Sequence, residues 1–124
     1  MLKLSVLDQS VAAAGRSQDA AIRQTLDLAT QCEAWGYHRF WVSEHHSHPS
    51  IVGTAPEVLM AAIAARTTRI RLGSAGVMLP HYAPFKVAEV FRVLDALIRK
   101  PRYSGRIGRD VWRSKANPHR PPLE

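Results

Sequence analysis

The chain has 124 residues, a net charge of +7, 46% apolar residues and a single cysteine, Cys32. That length supports one modest domain with its own core, and the composition is ordinary for a globular fold. It excludes an internal disulfide, and the absence of any run of about 18 apolar residues excludes a transmembrane helix. The N-terminus carries Lys3 and Asp8 with no long apolar stretch. No signal peptide is read there, and the expected location is cytoplasmic. Charge is uneven. Residues 99–124 hold eight Lys/Arg against Asp110 and Glu124, a net +6, whereas residues 1–98 hold nine basic and eight acidic groups, a net +1. The basicity belongs to the tail, so a nucleic-acid partner is disfavoured for the body of the chain.

Leu2 to Leu7 alternates and then turns apolar, which predicts a first strand. A loop of small and polar residues runs to Gly15. Ser17 is placed to cap a helix from about Gln18 to Ala34, with Ile22, Leu26, Ala29 and Cys32 at helical spacing and Leu28 widening the stripe. Cys32 on that stripe reads as a buried thiol. Gly36 suits the left-handed residue after the helix. His38 to about Glu44 predicts a second strand, followed by a polar loop to Gly53. Pro56 and Glu57 suit the first turn of a second helix, with Val58, Leu59, Ala62 and Ile63 inward and Ala61, Ala64 and Ala65 permitting close packing. Arg69 to Leu79 predicts a third strand. Pro84 or Phe85 opens a third helix, with Val87, Val90, Phe91, Leu94 and Leu97 inward. Beyond Leu97 the periodicity fails. Residues 1–98 therefore read as the folded part, and 99–124 as a basic, irregular, disordered tail.

Strand–helix alternation with short connections implies parallel strands and right-handed crossovers. An open doubly wound sheet and part of a (β/α)8 barrel both satisfy this, and both gather function at the C-terminal ends of their strands. Asp8-Gln9-Ser10-Val11 lacks the glycines of a dinucleotide turn, which favours the barrel. Two clusters fall at such strand ends. Glu44, His45, His46 and His48 pack a carboxylate and three histidines into five residues. They are metal-ligand types, but neighbouring residues of a strand face opposite ways and only His81 is a distant further ligand, so no metal is assigned. They also read as polar residues facing solvent. A third reading makes one histidine a proton donor or base, since imidazole titrates near neutral pH. Glu44 is then its buried partner or a hydrogen-bond acceptor that fixes the fold. Gly73-Ser74-Ala75-Gly76 is a run of small residues, suited to close helix packing or to a flat ligand lying on the main chain.

Five segments in order resemble bacterial luciferase-like, flavin-dependent monooxygenases: Leu4 to Ser10, Trp41 to His46, Thr54 to Leu59, Arg69 to Pro80, and Ala83 to Glu89. Together they cover about residues 2–97. The resemblance implies a TIM barrel, here a partial (β/α)8 barrel of its first three β/α units. It implies reduced FMN supplied by a separate reductase, O2, and an aldehyde or other small organic substrate. A deazaflavin is the alternative cofactor. It further implies His45 as the active-site histidine near the flavin, Ala75 and Gly76 as flavin contacts, and a cis peptide at Ala75–Gly76.

The sequence also departs from that pattern. Tyr103 to Ile107 resembles the lead-in to the family's next strand, displaced by an insert around Ile98–Arg102, and then the likeness stops. A barrel of this type takes roughly 250 residues. Three strands of eight, without counterparts of the flavin-phosphate residues, imply a truncated and inactive product with a frameshifted tail. Its open sheet edges favour self-association. The rival from another class is a non-catalytic α/β interaction protein whose basic tail binds nucleic acid or another anionic partner.

Overall fold

The structure is a computed structural model that describes residues 1–98. Its elements, in chain order, are β1 (Ser5–Asp8), α1 (Gln18–Ala34), β2 (Arg39–Val42), α2 (Pro56–Arg66), β3 (Arg71–Ser74), a 3-10 turn (Leu79–His81) and α3 (Pro84–Ile98). The basic tail and the lead-in at Tyr103–Ile107 lie outside the described residues. Among the described residues, no helix is long and apolar enough to cross a membrane.

The three strands form one parallel sheet in the order β1-β2-β3. That order does not reverse, so successive right-handed crossovers put every helix on the same face. Helix α1 packs on α2, and α2 on α3. The core lies between them and the sheet: Ala29 and Cys32 from α1, Leu59, Met60 and Ile63 from α2, Leu94 and Ile98 from α3, and Phe40, Val42 and Leu72 from the strands. The register pairs Val6, Phe40 and Leu72 on this face and sends Leu7, Trp41 and Gly73 to the other.

Helix α1 begins and ends where its signals say. The Ser17 hydroxyl accepts the Ala20 N–H at 3.2 Å. At the other end Gly36 takes φ +81°, while the Gly36 and Tyr37 N–H groups bond back to the Glu33 and Cys32 carbonyls. That double return closes the helix and sends the chain into β2. The buried stripe keeps Ala29 and Cys32 as expected, with Leu26 and Leu28 packed against the core, but it is rotated at its start: Ala21 and Thr25 face inward, and Ile22 is exposed. A hydroxyl explains the rotation. Thr25 Oγ1 donates to Asp8 Oδ2 at 2.5 Å and lies 2.7 Å from Ser10 Oγ, so a polar residue is satisfied inside and takes the inward slot.

The other differences are similar in kind. In α2, Met60 is buried and Val58 is exposed; in α3, Ile98 is buried and Leu97 is exposed. The strands are shorter than the sequence suggests. β1 starts at Ser5, β2 stops at Val42, and β3 stops at Ser74 rather than Leu79. Burial pushes the Cys32 thiol pKa up, and the Asp8 charge adds to this, so the thiol is a core group.

Two contacts fix the lower part of the sheet against its helices and close its upper face. Glu33, near the end of α1, accepts the backbone N–H groups of Thr68, Arg69 and Ile70 at 2.5 to 3.0 Å. Burial raises its carboxyl pKa, but these three amides and the Arg69 charge outweigh that and hold it low. On the opposite face, the Trp41 ring lies over Gly73. A Cβ on Gly73 would sit 2.5 Å from Trp41 Cζ3. Gly73→Ala is therefore expected to push the indole off β3 and cost about 1–3 kcal/mol. Urea unfolding monitored with the Trp41 indole NMR signal checks this; an unmoved indole and unchanged midpoint contradict it.

Candidate active site

The strands end in register at Asp8, Val42 and Ser74. The segments that leave the three strands are therefore brought to one rim. Behind β1, the chain turns at Ser10, whose φ of +52° is left-handed and uncommon for serine. That conformation is held from several sides: Ser10 N–H donates to Asp8 Oδ2 at 3.2 Å, and its carbonyl accepts Val52 N–H at 3.1 Å. The loops after β1 and β2 are joined by an antiparallel bridge, Val11 to Ile51. Gly53 fits between them, where a Cβ would lie 3.3 Å from Ser10 Oγ.

Behind β2, the carboxylate and three histidines go different ways. The Glu44 side chain is 1% exposed. Its Oε2 accepts the Met78 N–H at 2.9 Å, and its Oε1 accepts the Tyr82 hydroxyl and contacts His46 Nε2 at 2.7 Å. His45 is half-buried; its Nδ1 lies 3.1 Å from Ser43 Oγ, and its N–H donates to the Gly53 carbonyl at 3.1 Å. The ring of His46 meets His81 edge-to-face at 5.1 Å. His48 turns back on its own loop, where Nδ1 accepts the Ser50 and Ile51 N–H groups. Among the described residues, no three His, Cys, Asp or Glu side chains are grouped as a metal site.

Behind β3, Ala75 and Gly76 are both exposed. The Ala75 N–H donates to the Val42 carbonyl at 2.8 Å, continuing the ladder by one bond. Ser74 Oγ then donates to the Gly76 carbonyl and accepts the Gly76 N–H at 3.3 Å, which turns the chain and ends the strand. Nothing lies within 4 Å of where a Gly76 Cβ would be. The peptide here is trans, as is every peptide among the described residues, contrary to the expected cis bond.

The rim thus brings His45 and the Ala75–Gly76 backbone to the ends of adjacent strands. Room beside Gly76 and an exposed main chain suit a flat ring. Arg39 and Arg71 begin their strands, so these two cations stand at the opposite end. A separate cavity of about 430 Å3 opens between the end of β1 and α1, lined by Asp8, Ser10, Gln24, Thr25 and Asp27 among others; none of the predicted site residues borders it.

The sequence singles out Glu44, His45 and the run containing Ser74 but gives no sign of Tyr82 or Met78. Tyr82 lies 38 residues from its acceptor, and no local pattern links them. Its hydroxyl pKa is pushed up to about 12, first by the bond to Glu44 and then by burial, so it remains a donor at any ordinary pH. Burial raises the Glu44 pKa; the bonds from Tyr82, His46 and Met78 outweigh it and hold the carboxyl below its ordinary 4.5. A depressed carboxylate stabilises the fold above its unfolded pKa, and that contribution fades as pH falls through the folded value. The stability gap between the unaltered chain and Glu44→Gln should therefore shrink on acidification below 4.5. Urea unfolding of both proteins from pH 7 to 3 measures it; a gap independent of pH contradicts the assignment.

Comparison with known proteins agrees with this architecture. The family profile "Luciferase-like monooxygenase" matches residues 2–109. The chain is 52% identical over 97 residues to the N-acetyl-S-alkylcysteine monooxygenase of Bacillus subtilis, covering 78% of this chain and 29% of that protein. Among solved structures, apo-MsnO8 superposes with a TM-score of 0.77 at 45% identity, over 81% of this chain and 30% of that one. The oxygenating constituent of 3,6-diketocamphane monooxygenase from Pseudomonas putida, a type II Baeyer-Villiger monooxygenase in complex with FMN, gives 0.73 at 26% identity, over 77% and 26%. The chain spans about 30% of the length of these relatives. Its three parallel β/α units are the corresponding part of a TIM barrel, and the chain belongs to the luciferase-like monooxygenase family.

Proposed function

We propose that these residues form one wall of a flavin site in a monooxygenase that uses reduced FMN and O2 on a small organic substrate. The observation that carries this reading is the convergence of His45 and the exposed Ala75–Gly76 backbone at the ends of neighbouring parallel strands. The family and its FMN-bound member support the choice of cofactor. Bound there, the reduced flavin would supply the electrons that activate O2.

The chain's own groups have limited tasks. Ala75 and Gly76 present main chain, without bulky side chains, to the face or edge of the ring. His45, oriented through Nδ1 by Ser43, holds or moves a proton at its other ring nitrogen. The wall described offers ring contacts, while Arg39 and Arg71 at the far end of the sheet are badly placed for the phosphate. Phosphate contacts and the substrate pocket fall to strands beyond these three. We therefore infer that the 124 residues alone bind flavin weakly and do not turn over substrate.

Titrating FMN into the full 124-residue chain and following flavin fluorescence tests the reading. Saturable binding is expected, with His45→Ala and Gly76→Val each weakening it roughly tenfold, the scale of one lost good contact. Binding unaffected by either substitution, or no binding, contradicts the assignment.

A further inference from the structure

The connection from β3 to α3 runs from Ala75 to Ala83, and little apolar packing holds it. Ala75, Gly76, Met78, Leu79, Pro80 and His81 are exposed. Its shape therefore depends on hydrogen bonds, and those at its far end lead to one group. The buried Glu44 carboxylate takes the Met78 N–H on Oε2 and the Tyr82 hydroxyl on Oε1. The two attachment points straddle the 3-10 turn at Leu79–His81, which is closed by His81 N–H to the Met78 carbonyl and Tyr82 N–H to the Leu79 carbonyl. A third tie comes through His46, which bonds Glu44 and packs its ring against His81. Upstream, Ser74 Oγ holds Gly76 by both of its backbone groups. Ala75–Gly76 is thus stretched between two anchors, Ser74 at the end of its own strand and Glu44 at the end of the neighbouring one.

We propose that Glu44 and Tyr82 are positioning residues for the flavin ring: together they fix the β3–α3 connection at the height where Ala75–Gly76 meets it. This rests on the flavin reading above. Neither residue needs to touch the ring. Removing the Tyr82 hydroxyl leaves the aromatic body in place but frees one end of the connection. The Met78 bond and the His46–His81 ring contact then hold that end, and Ala75–Gly76, still tied by Ser74, samples a wider range of positions.

Tyr82→Phe is the direct test, with Glu33→Gln as a control that loosens the α2–β3 turn at the opposite end of the sheet. Two quantities are read on the full chain: amide hydrogen exchange at Met78 and Gly76, and the dissociation constant for oxidised FMN. Tyr82→Phe should speed exchange at both amides and weaken FMN binding several-fold, because the arrangement that meets the ring is then only one of those populated. Glu33→Gln should lower global stability while leaving the FMN constant within twofold; a role in stability alone predicts that both substitutions weaken binding alike. FMN binding by Tyr82→Phe within twofold of the unaltered chain overturns the inference while leaving the flavin reading intact. Failure of the unaltered chain to bind FMN overturns the flavin reading, and the inference falls with it.

Discussion

A single buried carboxylate organises the functional end of this protein. Glu44 is taken out of water, which is costly for an ionised group unless it is fully hydrogen-bonded. Three donors meet that demand, and two of them belong to the connection after the next strand. The cost of burying the charge is thus tied to the shape of a distant loop. If the loop opened, an ionised carboxylate would lose its donors in a nearly dry place. That asymmetry makes an otherwise exposed segment hold one conformation.

The same device recurs at the other end of the sheet. Glu33 gathers three successive amides of the α2–β3 turn, 35 to 37 residues away in sequence. Each acidic group is near the end of one element and captures the backbone leading into or out of the next strand. Between these two clamps, the apolar layer of Phe40, Val42, Met60 and Ile63 supplies the non-directional part of the stability. The carboxylates supply direction: one fixes how β3 is entered, the other how it is left.

The fold was largely legible in the sequence because its signals are local. Ser17 and Gly36 mark the ends of α1 through bonds spanning three to five residues. Pro56 and Pro84 mark the starts of α2 and α3 in the same way. Apolar periodicity found each helix and most of its inward residues but misplaced Ile22, Val58 and Leu97, which are exposed. In α1 the reason is Thr25, whose place is set by Asp8 and not by hydropathy. The strand ends were overrun because Ser74 and Gly76 make a side-chain turn that reads, as sequence, like a continuation of β3. Of the site, Glu44 and His45 were visible as a cluster, and the tasks of the three histidines were not. Those depend on partners such as Tyr82 and Met78, whose nearness exists only once the strands pair. The expected cis peptide came from family likeness; the exposed Ala75–Gly76 peptide is trans.

The dependence of the rim on Glu44 is open to one direct measurement: a double-mutant cycle in unfolding free energy between Glu44→Gln and Tyr82→Phe at pH 7. A hydrogen bond from a phenol to a buried carboxylate should appear as a coupling of about 1 kcal/mol or more. Additivity within about 0.3 kcal/mol would mean that the two groups do not act together, and Glu44 would then not be what holds the β3–α3 connection in place.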